Sequence, residues 1–322
     1  MSWLVTGGAG YIGTHVVRAL DAAGMGAVVV DDLSSGIRSF VRPEVPFVQA
    51  SILDREALES VMREHDVDGV IHVAGFKYAG VSVQRPLHTY AQNVTGTATL
   101  LEAMEHAGVG RIVFSSSAAV FGSADAEIVT EDVPKHPASP YGESKLIGEW
   151  LLADQARATG LGHTSLRYFN VVGSGYDDVY DASPHNLLPL VFEALLKGRT
   201  PQINGNDYAT PDGTNVRDYL HVSDLAHSHV VAARRLQAGE PVAPAYNLGS
   251  GVGVSVGEIM RTVAEVTGIA FEPLIAPRRG GDPDRIVASG ELAARDLEWR
   301  MRHSLAEMVE SAWQATRRAR EG

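Results

Sequence analysis

Residues 6–13 read TGGAGYIG, directly after the apolar run Trp3-Leu4-Val5 and directly before a stretch, Tyr11 to Ala23, with apolar residues at helical spacing. Glycines at 7, 10 and 13 permit a tight turn with close backbone approach, and the helix that follows offers unpaired N–H groups and a positive dipole end to an anion. About twenty residues on, Asp31 ends a second apolar run, AVVVDD, where a carboxylate bonds ribose hydroxyls and repels a 2′-phosphate. A glycine turn that merely packs helix on strand is the simpler reading. The strand, turn and helix context with the spaced acid favours a dinucleotide site, for NAD rather than NADP.

The rhythm continues beyond this unit. WLVTG, AVVVDD, PFVQA, GVIHVAG and RIVFSSS are short β-branched runs separated by amphipathic or turn-rich segments, the pattern of an α/β protein with a Rossmann-type, doubly wound parallel sheet. Helices are predicted from about Pro86 to Ala107, with Gly108 as a stop, and from Tyr141 to about Thr159. After Asn170 the chain turns rich in Gly, Pro, Asp and Asn. Residues 1–170 are therefore expected to form the NAD-binding domain, and 171–322 a smaller C-terminal substrate-binding lobe interleaved with it, with about 222–249 returning to the sheet.

Composition narrows the functions. The 322 residues, 45% hydrophobic, supply a large core, and no apolar run approaches a membrane span of ~20 residues. A net charge of −12 disfavours nucleic acid or an anionic membrane as partner. The absence of cysteine excludes disulfides and thiol chemistry and fits the cytoplasm.

SPYGESK, residues 139–145, carries the chemistry. Tyr141 and Lys145 stand at i and i+4, on one helix face. With ten tyrosines and four lysines in the chain, chance provides about 0.1 such spacings, and one occurs. Ser117 ends RIVFSSS, at the carboxyl edge where open parallel sheets bind ligands; Ser115 and Ser116 could be plain strand-end polar residues. An ammonium about 4 Å from a phenol favours the phenolate by ~4 kcal/mol at an effective dielectric near 20, and an oxidised nicotinamide adds positive charge; together they would bring Tyr141 towards neutral pH as an acid/base.

In order along the chain, TGGAGYIG, SSS, SPYGESK, RYFN, GNDY, DGTNVRDYLHVSDLA, YNLGSG and APRRGGD resemble the extended short-chain dehydrogenase/reductases, most closely the UDP-glucose (UDP-galactose) 4-epimerases. The resemblance implies that Tyr141, assisted by Ser117, takes the proton of a sugar 4-hydroxyl. The C4 hydride passes to bound NAD, and the 4-keto sugar turns and takes the hydride back on its other face. It implies that Gly7, Gly10, Tyr11, Ile12 and Gly13 face the pyrophosphate. Asp31, Asp32, Leu33, Ser34, Ser35, Gly36, Ser51 and Ile52 would hold the adenosine, and Val73, Ala74, Gly75, Lys77, Asn93, Ser115, Tyr168 and Lys145 the rest of the cofactor. Lys77, Asn170, Asn186, Leu187, Asn204, Arg217, Tyr219, Arg279, Asp282 and Ile286 would meet the sugar nucleotide, with arginine suited to diphosphate. A homodimer joined through the helices 86–107 and 141–159 is implied as well.

Three positions depart from the family pattern: Ser51 stands where Asp is usual, Val171-Val172 replace a Pro-containing turn, and Ile286 occupies the position that sets pocket size. Ile286 leaves N-acetylhexosamines open as substrates, and a dTDP-sugar fits the same arginines. A nucleotide-sugar 4,6-dehydratase, or a decarboxylase with a glutamate, would place acids at Ala118 and Ala119. A non-catalytic NAD-binding sensor would lack the Tyr/Lys pair. No metal site is expected, because His227 and His229 of the trio completed by His221 face apart at i and i+2.

Overall fold

The structure, a computed structural model, describes residues 2–124, 126–278 and 283–321. Seven parallel strands form its centre: Ser2–Thr6 (β1), Gly26–Asp31 (β2), Phe47–Gln49 (β3), Val67–His72 (β4), Arg111–Ser117 (β5), Gly162–Tyr168 (β6) and Ala245–Leu248 (β7). Their order is β3-β2-β1-β4-β5-β6-β7. The doubly wound sheet expected from the sequence is the one observed.

The near-continuous apolar runs are explained by burial on both faces, since alternate side chains of one strand enter different cores. Leu4, Val28 and Val30 join Leu58, Met62, Leu100, Met104 and Leu152 on one side. Val5 and Val29 join Val16, Leu20, Leu225 and Val230 on the other. The first layer is built by helices Arg55–Glu64, Gly96–Ala107 and Pro140–Thr159, and the second by Tyr11–Ala22 and Val222–Ala238. Residues 222–248 thus return a helix and the seventh strand to the sheet. A third cluster, with Phe192, Ile259, Met308 and Trp313, underlies the remaining lobe.

Two local features position the site. The helix expected over 86–107 contains a π-helical turn at Ala91–Thr95, a device common at functional sites; here it carries Asn93. Helix Pro140–Thr159 starts where Ser139 caps the Gly142 N–H at 3.2 Å and Pro140 takes the first turn. Both set Tyr141 at the helix entrance.

Val171-Val172 explain one departure. With a free N–H at each residue, Asn170–Val172 pairs in parallel with Tyr219–His221, which a proline would weaken.

Four histidines are buried and pushed down by desolvation, His72 to about 3 and His15, His221 and His229 to about 4. Each is depressed below the unfolded value, so the unfolded chain binds the extra proton. Their stabilisation is complete above about pH 6.5 and is lost as pH falls towards 4 and 3. Each contributes a slope of about 1.4 kcal/mol per pH unit in that window. Urea denaturation at pH 7, 6 and 5 should show stability falling on acidification; a flat profile would contradict this account.

Candidate active site

Between β1 and β4 the chain reverses its winding direction, and the strand ends diverge there to leave a crevice. A cavity of about 620 Å³ fills it. Its wall takes Gly7 and Gly10 to Gly13 from the turn after β1, Asp31 and Asp32 from the end of β2, Val73 to Lys77 from beyond β4, and Tyr168 to Asn170 from the end of β6.

At one end lies the glycine turn. Gly7 adopts φ +71°, and an added Cβ would sit 2.8 Å from the Ala74 nitrogen. A Cβ on Gly13 would come to 2.1 Å from the Gly7 carbonyl oxygen. Gly10 caps the helix without a side chain, so the first N–H groups are left to an anion in the cavity. Asp31 organises this end: its Oδ2 accepts from the Ala9 N–H at 3.0 Å and its Oδ1 from the Leu33 N–H at 2.8 Å. The second bond holds Leu33 at φ +60°, and burial raises the carboxyl of Asp31. These residues fit a dinucleotide.

At the other end the three serines of RIVFSSS do separate work. The Ser115 hydroxyl donates to His229 Nε2 at 2.8 Å and hydrogen-bonds the Tyr168 phenol, while its carbonyl accepts from Lys145 Nζ at 2.8 Å. Ser116 donates to Glu149 at 2.5 Å. Ser117 accepts from the Ala119 N–H at 3.2 Å and hydrogen-bonds the Tyr141 phenol. Tyr141 and Lys145 both reach the cavity wall.

The acidity expected of Tyr141 counted on the Lys145 ammonium together with an oxidised nicotinamide. Burial pushes the phenol above its ordinary value, and the Ser117 hydrogen bond offsets this only in part. Lys145 spends one N–H on Ser115 and is itself lowered to about 8, by desolvation that the Glu149 carboxylate opposes. The protein's own groups leave the phenol raised, and the nicotinamide's charge is the remaining contribution in that expectation.

The NAD dependent epimerase/dehydratase family matches residues 3–249. The chain belongs to that family. A UDP-glucose 4-epimerase of Azospirillum brasilense is 45% identical over 93% of this chain and 87% of its own length. A UDP-glucose 4-epimerase from Stenotrophomonas maltophila, solved with NAD and formylated UDP-arabinopyranose, superposes with TM-score 0.94 at 40% identity over 100% of both chains. One from Bifidobacterium longum, solved with NAD+ and UDP, gives TM-score 0.91 at 33% identity, again over 100% of both.

Within this NAD dependent epimerase/dehydratase fold, the cavity gathers most of the residues picked from sequence. Gly7, Gly10, Tyr11, Ile12, Gly13, Asp31, Asp32, Ser34, Ser35, Ile52, Val73, Ala74, Gly75, Lys77, Tyr141, Lys145, Tyr168, Asn170, Asn186, Leu187 and Tyr219 all line it. The Tyr11 phenol, however, donates to the Gly173 carbonyl at 2.5 Å, leaving its backbone to face the turn.

Others stand back from the wall. Leu33 and Gly36 pack around Asp31. Ser51 accepts from the Leu53 N–H at 3.2 Å, capping its own turn where the family's Asp would reach out. Asn93 stands directly behind Gly75 and Phe76 of the wall and clamps them. Its Oδ1 accepts from the Phe76 N–H at 2.6 Å and its Nδ2 donates to the Phe76 carbonyl and Ser144. Ser115 ties Lys145 and His229 to the Tyr168 wall. Asn204, Arg217 and Ile286 lie on short strands and do not line the cavity; Ile286 pairs with Arg217, whose guanidinium donates to the Val216 carbonyl. Arg279 and Asp282 lie outside the described residues.

Sequence reasoning missed Phe76, Tyr78, His88, Gln92 and Asp181, together with Ala312 and Thr316 of the last helix. Phe76 and Tyr78 follow the end of β4 and could have been found by the strand-end rule. Ala312 and Thr316 carry no such signal. Of the histidine trio, His229 binds Ser115 and Leu225, His227 faces Arg302, and His221 caps Ser223.

Proposed function

We propose that this chain interconverts the C4 epimers of a UDP-hexose, glucose and galactose foremost, with NAD as a bound cofactor. The observation that carries the reading is the convergence of Ser117 on Tyr141 at a cavity whose other end is the glycine and Asp31 cradle. Tyr141 accepts the proton of the sugar 4-hydroxyl and later returns it, with Ser117 holding the phenol and the hydroxyl in line. Lys145 supplies positive charge beside that proton. The glycine turn and Asp31 would hold NAD, which would supply the hydride acceptor and donor for C4.

Ala118 and Ala119, in the turn Ala118–Phe121 behind Ser117, offer no acid for elimination. This favours epimerisation over dehydration. The test is NMR of the product mixture from UDP-galactose and from UDP-N-acetylgalactosamine without added NAD. Appearance of UDP-glucose is expected, conversion of the second would widen the substrate range, and no conversion of either would end the reading.

The working protein is proposed to be a homodimer in the cytoplasm, a compartment that its cysteine-free sequence suits. Leu87, Val83 and Trp150, 83%, 62% and 57% exposed, lie on neighbouring helices 86–107, 79–84 and 140–159. Exposed apolar side chains on adjoining helices mark an interface. Light scattering should find two 34.4 kDa chains together, and Leu87→Glu with Trp150→Lys should yield monomers. A monomeric wild-type protein would remove the claim.

A further inference from the structure

Below Lys145 on the same helix sits a second charge that the reaction as derived does not use. Glu149 is four residues on from Lys145 and eight from Tyr141, so the three share a face. It is 9% exposed and paired with Arg167, 5% exposed, on β6. Arg167 Nε donates to Oε1 at 2.9 Å and a terminal nitrogen to Oε2 at 2.6 Å, and Ser116 Oγ adds a bond of 2.5 Å to Oε1.

A buried pair of this kind adds little to stability over apolar residues of similar volume. Its placement is better explained by the charge it presents. Ser115 and Ser116, adjacent on β5, tie the two helix residues down together, one by its carbonyl to Lys145 and the other by its hydroxyl to Glu149.

We propose that Glu149 is a positioning residue for the reaction: fixed by Arg167 and Ser116, its carboxylate keeps the Lys145 ammonium charged and in place beside Tyr141. The proposal rests on the reading of Tyr141 and Lys145 as the acid/base pair. Burial drives Lys145 down to about 8, and Glu149 is the group that opposes this. The other titratable neighbours give no counter-charge. Tyr141 is neutral and raised, and His72 on β4 is neutral at about 3. Around Glu149 stand Arg167, His163 from β6 and Lys135, the last two lowered by burial.

The chain has four lysines, so lysine labelled with ¹³C at Cε gives four NMR signals, and Lys145→Met assigns one of them. In the NAD-loaded protein, Glu149→Gln should move the Lys145 titration midpoint down by about one pH unit, a tenfold change in protonation. The alkaline fall of kcat should move with it. Glu149→Met with Arg167→Met removes the carboxylate without leaving an unpaired arginine and should shift the same signal in the same direction. An unchanged Lys145 midpoint in both variants overturns the proposal, as does a loss of kcat that is equal at every pH. Because the NMR midpoint does not depend on turnover, a wild-type protein that fails to epimerise removes the functional reading while the coupling is still decided.

Discussion

Tyr141→Phe is expected to fold, to hold NAD and to lose epimerisation by at least ~10², the lower end of what a positioned general acid/base contributes. The substitution keeps the ring that fills the cavity wall and removes only the hydroxyl. Ser117 loses its bond to the phenol but still accepts from the Ala119 N–H, and Lys145 still donates to the Ser115 carbonyl. Loss of activity in that variant therefore reports on the proton, not on packing. Turnover measured with UDP-galactose, beside the NAD content and circular dichroism of the same sample, makes the comparison, and near-normal turnover would sink the mechanism. The raised phenol of the structure adds a condition. Tyr141 becomes a useful base only with positive charge beside it, so Lys145→Met should also lose activity, most at the acid end of the profile.

Gly13→Ala should damage both the fold and the cofactor site. The added Cβ would stand 2.1 Å from the Gly7 oxygen and 2.8 Å from both the Gly7 carbonyl carbon and Gly8 Cα. All three are backbone atoms, so no side chain can swing aside, and the turn itself must move. Such overpacking costs about 3 kcal/mol, and the displaced turn no longer offers its N–H groups to a diphosphate. Gly10→Ala is the control, since its Cβ would meet only the Gly7 oxygen, at 3.2 Å. Urea denaturation should separate the two variants, and Gly13→Ala should be purified without NAD. Equal stability and cofactor content in the two would show that the close approach is not what Gly13 provides.

Much of this site was legible because its parts are local. A glycine triplet with an acid at a set distance, a Tyr four residues before a Lys, and a serine at a strand end are each decided by backbone periodicity. What was not legible involved neighbours distant in sequence. The π-helical turn Ala91–Thr95 sets Asn93 against Phe76, a partner that spacing alone does not reveal. Ser115 and Ser117 are two residues apart and alike in sequence, but one faces His229 and the other Tyr141.

The sequence by itself determined the parallel sheet, the end of it that binds ligand, the NAD cradle and the Tyr/Lys pair, because repeat period and glycine sterics are properties of short segments. Only the tertiary structure decided how acidic Tyr141 is, that Glu149 and Arg167 lie buried behind Lys145, and that Ala312 and Thr316 close the cavity. Desolvation and charge coupling depend on what packs around a group, and those neighbours come from strands and helices far along the chain.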